Sequence, residues 1–235
     1  MDDRDKTKAQ LANELSEIRQ QLALLEQIRE VKDQTEHAFK STEETLKLIL
    51  NLSTNFAILS SDEIYDGIDD VMKIVGEFAG VDRFYMFEFS DDGSITRNTH
   101  EWCAHGIEPL IQTRRGLPSS KLPPFIQPIW DLEVVNISDL PKATKRNGKG
   151  PAKAAQSIIV VPMVYNISLM GFLGFESIRE KKIWPESVVS LLKIVGETFT
   201  NALVRKKTED SLRESESHFR NIFDYAVEGI FQSTL

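Results

Sequence analysis

The sequence predicts an α+β fold in which one antiparallel sheet domain is held between two long helices. Three observations carry this reading. All nine prolines lie between Pro109 and Pro185 and no glycine precedes Gly67, so the first third lacks both residues that break helices. Two stretches rich in β-branched and aromatic residues, Phe84 to Cys103 and Ser157 to Ser177, are each divided by a tight turn and read as hairpins. Apolar residues recur at three-four spacing near both ends of the chain, which is the stripe of a helix that needs a partner.

The first helix spans about Lys6 to Leu59. Leu11, Leu15, Ile18, Leu22 and Leu25 form its a/d seam, which continues after a spacing step through Thr35, Ala38, Thr42, Thr45, Ile49, Leu52 and Phe56. That is the pattern of a helix that packs first on a twin helix and then on its own domain. Ser61-Asp62-Glu63 supplies a cap and an acidic first turn for a second helix carrying Ile64, Ile68, Val71 and Val75 and ending near Gly80. Phe84 to Phe89 and Ile95 to Cys103 are strands joined around Asp92-Gly93. A proline-broken loop, Pro118 to Pro128, runs into a short helix around Phe125 to Trp130, and Glu133 to Ile137 is a short strand. Leu140 to Ala155, with Lys142, Lys145, Arg146 and Lys149, reads as an exposed, mobile basic loop. The second hairpin turns at Tyr165-Asn166, and Gly171 and Gly174 permit close packing of its return strand. Pro185 then opens a helix with three-four spacing from Val188 to Phe223, interrupted by the polar Arg205, Glu209 and Glu216.

Composition excludes several functions. A net charge of −8 with acidic and basic residues interspersed disfavours nucleic acid and anionic membrane as partners. Met1 to Lys8 lacks the apolar core of a signal peptide, Cys103 is the single cysteine, and the longest strongly apolar run is Ile158 to Tyr165, so a cytoplasmic protein with no membrane span is expected. His100, Glu101, Cys103 and His105 are the one cluster that suggests metal. On a strand Glu101, Cys103 and His105 share a face while His100 points away, and side chains two apart stand about 6.6 Å apart, so no metal site is expected. The basic loop is not a phosphate loop, because Ala143 stands where the first glycine of that motif belongs. No nucleophile elbow, kinase phosphoacceptor box or Gly-Gly-Asp-Glu-Phe cyclase signature occurs, so the chain is expected to be non-catalytic.

The segments Asn98-Thr99-His100-Glu101-Trp102-Cys103, Val135-Asn136-Ile137-Ser138-Asp139-Leu140-Pro141, Ile158-Ile159-Val160-Val161-Pro162-Met163 and Gly171-Phe172-Leu173-Gly174-Phe175-Glu176-Ser177, followed by Trp184, resemble GAF-domain sequence over roughly Thr45 to Arg205. Beyond them, Leu212 to Phe223 and Glu228-Gly229-Ile230-Phe231 resemble the start of a PAS domain, with a first strand at the latter. The resemblance implies residues 1–44 as an N-terminal coiled-coil helix, 45–205 as a GAF domain and 206–235 as a signalling helix with the truncated start of a PAS domain. It further implies an antiparallel sheet of about six strands with packed helices, and a small-molecule pocket under the proline-rich loops.

Function follows the same resemblance. The chain is expected to be a sensory module of a signalling protein, such as a histidine kinase or diguanylate cyclase, that binds an unidentified small ligand and passes the signal through a homodimer of its terminal helices to an output domain. A ligand-free dimerisation scaffold is the alternative. Trp102, Cys103, Phe125, Trp130 and Phe175 are the candidate ligand-binding residues. Some family photoreceptors attach a tetrapyrrole through a cysteine followed directly by histidine. Here Ala104 separates Cys103 from His105, which argues against a chromophore. The constellation of cyclic-nucleotide-binding members has no counterpart, and no cofactor is named.

Overall fold

The computed structural model describes residues 8–114, 116–140 and 155–232; the expected basic loop between Pro141 and Lys153 lies outside them. The chain divides into two units, Met1–Leu48 and Ile49–Leu235. Helix α1 (Lys8–Ile58) begins in the first. There Leu15, Leu22 and Leu25 of the expected seam lie on the surface, each more than half exposed.

In the second unit, a 3-10 turn (Ser61–Glu63) leads into α2 (Ile64–Ala79). The cap is Ser60, whose backbone N–H and hydroxyl both donate to the Glu63 carboxylate at 3.0 and 2.6 Å, while Ser61 is buried. Gly80 ends the helix in the left-handed conformation that glycine adopts without strain. Six strands follow: β1 (Arg83–Phe89), β2 (Ile95–Cys103), β3 (Leu117–Pro118), β4 (Val135–Ile137), β5 (Ser157–Tyr165) and β6 (Ser168–Ser177). They form one antiparallel sheet in the order β3-β2-β1-β6-β5-β4. The two hairpins thus supply the centre and the short strands the edges, where β3 was not legible from sequence. The second hairpin turns through Asn166 at φ +56° and Ile167, one residue later than expected.

Register decides which side chains share a face. On one face α2 packs on β1 and β2, and α3 (Glu186–Gln232) packs on β5 and β6. Phe84, Met86, Leu173, Phe175, Ile159, Val161 and Met163 meet these helices and are fully buried with Leu192 and Phe199 of α3. The end of α1 joins them through Phe56, 5.4 Å from Phe199 between ring centroids. On the other face Tyr85, Phe87, Phe172, Ile158, Val160 and Val135 are covered by a 3-10 helix (Pro124–Asp131) that contributes Ile126 and Ile129. The sheet is therefore buried on both sides, and its central strands read as continuous apolar runs for that reason.

Two glycines of β6 allow this packing. A Cβ on Gly171 would stand 2.0 Å from the Phe87 carbonyl oxygen, and one on Gly174 would stand 2.4 Å from the Tyr85 ring. The first half of α3 is apolar and long enough to cross a membrane by length and composition, unlike anything expected from the sequence, but that apolarity serves the core through Val189, Leu191, Leu192, Val195 and Phe199. The strand expected at Glu228 to Phe231 is helical instead, as α3 runs to Gln232; no described strand of this chain stands beside it to pair with.

Candidate functional site

Between the sheet and the proline-rich segment lies a cavity of about 240 Å³. Its wall is aromatic and aliphatic: Tyr85, Phe87 and Phe172 from the strands, Ile158 beside them, and Leu122, Pro123, Phe125 and Ile126 from the covering segment. Phe87 and Phe172 stack at 4.8 Å with 14° between their planes, because Phe87 pairs with Phe172 directly across β1 and β6. Three charged side chains, Arg114, Lys121 and Glu176, complete the lining.

Glu176 links the cavity to a buried ionic cluster. Arg83, at the start of β1, pairs with Glu176 opposite it on β6 and with Cys103 opposite it on β2. Its Nη1 donates to Glu176, its Nη2 donates to the Glu108 carbonyl at 2.9 Å, and its Nε lies 3.1 Å from Glu101 Oε1 without hydrogen-bond alignment. Glu101 Oε2 accepts from the backbone of Leu110 and Ile111 at 2.7 and 2.6 Å, which fixes the loop after β2. Arg114, one-third exposed, stands 3.9 Å from Glu176. Burial alone would lower the Arg83 pKa, but Glu176, Cys103 and Glu101 together hold it above the ordinary guanidinium value. Two carboxylates and two guanidiniums balance, which is what permits charge at this depth. Burial beside Glu176 pushes the Tyr85 phenol upward, so it is a neutral hydroxyl in the cavity wall.

A second tie fixes the end of the sheet. Asp82 Oδ2 accepts from the backbone of Ile178 and Arg179 at 2.6 and 2.8 Å, and Oδ1 pairs with the Arg179 guanidinium at 2.9 Å. The Arg83–Glu176 pairing is thereby held in register.

The five sequence candidates do not converge. Phe125 lines the cavity. Trp130 stands at its flank, 4.5 Å from Phe89. Cys103 lies on the cavity face beside Arg83 but outside the lining, and burial, then Glu101, pushes its thiol pKa up. Trp102 turns to the opposite face, where its ring lies against Gly76 of α2 so closely that a Cβ there would stand 2.4 Å from it. Phe175 is core on that same face, edge-on to Phe84 at 4.6 Å. His100 is there too, 5.3 Å from the Tyr65 ring, and burial drops its pKa to about 4. Among the described residues no three His, Cys, Asp or Glu side chains gather as a metal site. Sequence reasoning missed Arg83, Arg114 and Glu176, because each is an isolated charge whose partner appears only once the strands are in register.

No protein-family model matches the chain. Over 192 residues, 78% of its length, it is 25% identical to the methanogenesis regulatory histidine kinase FilI of Methanothrix harundinacea, and it spans about a fifth (21%) of that relative. Among solved structures, the GAF domain of a phosphoenolpyruvate-protein phosphotransferase from Coxiella burnetii superposes with a TM-score of 0.59 at 12% identity, covering 71% of this chain and 96% of that one. The phycocyanobilin-bound GAF domain of a cyanobacterial phytochrome superposes at 0.55 with 15% identity, covering 70% and 96%. The chain has a GAF-like fold, with the six-stranded antiparallel sheet and packed helices that its sequence implies.

Proposed function

We propose that this chain is a regulatory, non-catalytic segment of a cytoplasmic signal-transduction protein of the histidine-kinase type, binding a small molecule in the cavity between sheet and proline-rich segment. The observation that carries the reading is that cavity: an apolar slot closed at one end by a balanced, buried ionic cluster, which combines shape with a few placed polar groups. The likeness to part of a regulatory histidine kinase supports it. A bilin is not favoured as the ligand, since Cys103 lies outside the cavity lining and the volume falls below the roughly 300–1,000 Å³ of drug-sized sites.

The output step uses α3. Beyond the sheet this helix touches the domain through Arg205, whose guanidinium donates to the carbonyls of Phe56, Ala57 and Leu59 at 2.9 to 3.1 Å, and through Lys207–Asp91 and Arg213–Asp62 pairs at 2.9 and 3.6 Å. Leu212, Phe219, Ile222 and Phe223 follow, all more than half exposed, and in a homodimer they and the α1 seam meet their twins. Ligand that favours one arrangement of α3 over another shifts the dimer by no more than its differential affinity for the two. Native mass spectrometry of protein purified from its source tests the sensor: a retained small molecule is expected, and its repeated absence moves the reading to a ligand-free scaffold. Light scattering at tens of micromolar is expected to show a dimer, and a monomer defeats the helix-pairing step.

A further inference from the structure

Resting on the proposed ligand site, we infer that the cavity takes a small organic anion: a monocarboxylate with an aromatic or compact apolar body. Charge bookkeeping around the cavity leads there. Glu176 is already engaged by Arg83, and Arg83 has its remaining donors turned to Glu101 and the Glu108 carbonyl, so neither presents free charge to a ligand. Arg114 differs. Its one ion-pair partner among the described residues is the same Glu176, at 3.9 Å, longer than a hydrogen bond. Lys121, on the 3-10 turn Ser119–Lys121, is exposed and has no ion-pair partner among the described residues. Arg83 and Arg114 together balance Glu101 and Glu176, so Lys121 leaves one positive charge in surplus beside an apolar slot.

A cationic ligand is disfavoured by that surplus, although four aromatic rings line the slot. A neutral ligand leaves the surplus unused. A carboxylate meets a planar guanidinium with two parallel hydrogen bonds, and Lys121 can add a third charge-assisted contact. The body of such a ligand lies against the edges of the Phe87 and Phe172 rings, which stack on one another. The cavity of about 240 Å³ limits that body to little more than one ring. A phosphate carries nearly two negative charges, more than the single surplus charge offsets.

Isothermal titration of the full chain with benzoate, benzamide, benzylamine and phenyl phosphate tests this. Benzoate is expected to bind about tenfold or more tighter than benzamide, as a charge-assisted bidentate contact implies, and benzylamine not to bind. Arg114→Gln is expected to bring benzoate down to the affinity of benzamide, Lys121→Gln to weaken it less, and Leu122→Trp, which puts an indole into the lining, to abolish binding of every probe. Benzamide or benzylamine equal to benzoate overturns the anion assignment while leaving the ligand site standing. Tighter binding of phenyl phosphate overturns the carboxylate in favour of a phosphate. Benzoate binding that survives Leu122→Trp places the site elsewhere and overturns the inference. No saturable binding by any of the four overturns the carboxylate assignment, and only if native mass spectrometry also finds no retained molecule does the sensor reading fall with it.

Discussion

The two faces of one sheet solve the same burial problem differently. The face under α2 and α3 is closed by two amphipathic helices that pack closely at its centre: Gly196 of α3 comes near enough to Leu173, Val161 and Met163 that an added Cβ would touch them at 3.5 to 3.9 Å. The opposite face is equally apolar at its centre, yet it is covered by a 3-10 helix and proline-bearing loops that cannot follow the sheet closely. There a cavity remains, and the strand ends carry Arg83, Glu101 and Glu176 where the helix face carries apolar residues. At the centre of the sheet the helical layer packs close, and the irregular one leaves room for a ligand.

The sharpest way to break the sheet that both faces share is at Gly171. A side chain there meets the backbone of β1, with no flexible neighbour to yield, so Gly171→Val is expected to unfold the domain or to destabilise it by more than about 4 kcal/mol in urea titration. A stable, cooperatively folding variant would mean that β1 and β6 are not this close.

Next come single truncations on each face. Phe175→Ala, on the helix face, is expected to cost about 3–5 kcal/mol because its surroundings are filled. Phe172→Ala removes the same atoms from a residue that already borders open space, so it is expected to cost less and to enlarge the cavity. Arg83→Met is expected to cost about 3–5 kcal/mol by leaving Glu176 and Glu101 buried without their cation, and adding Glu176→Gln should recover part of that loss. Equal costs for Phe172 and Phe175, measured by the same titration, would erase the proposed distinction between the faces.

These residues also mark how far the sequence could be read. Elements were legible because local signals specify them: Ser60 to Glu63 for the start of α2, Asp92-Gly93 and Asn166 for the turns, Pro185 for the start of α3. Faces were partly legible by alternation, which correctly separates Glu101 and Cys103 from His100. The pocket was not. Trp102 and Phe175 drew notice as aromatics, but on a sheet buried on both sides an aromatic residue carries no mark of which layer it faces. Arg83 and Glu176 are 93 residues apart and meet only through register, and β3 has two residues, too few for any pattern.

The helix face also carries a pH limit. His100, held against Tyr65 and half-turned to Thr99, has a pKa of about 4 because burial disfavours its charged form. The unfolded chain takes up this proton near pH 6.5, so between there and pH 4 the unfolded state binds more protons and stability falls as pH falls. The loss over that window is on the order of 3 kcal/mol and is complete near pH 4. Urea midpoints measured from pH 7 to 4 are expected to drop less steeply in His100→Gln, and an unchanged slope would show that other groups set the acid limit.

The smallest expected effect belongs to Cys103, on the cavity face beside Arg83. Removing one half-buried sulfur leaves little void, so Cys103→Ala is expected to cost about 1 kcal/mol or less. The raised thiol pKa adds a second consequence. Burial and Glu101 both disfavour the thiolate, and Arg83 offsets them only in part because its guanidinium is already committed to two carboxylates. Since the thiolate is the nucleophile, alkylation by iodoacetamide at pH 8 is expected to run slower than for a free cysteine and to accelerate in Glu101→Gln. If Cys103 reacts as fast as a free thiol, the ionic cluster is open to solvent, and the cavity face is looser than its buried charges require.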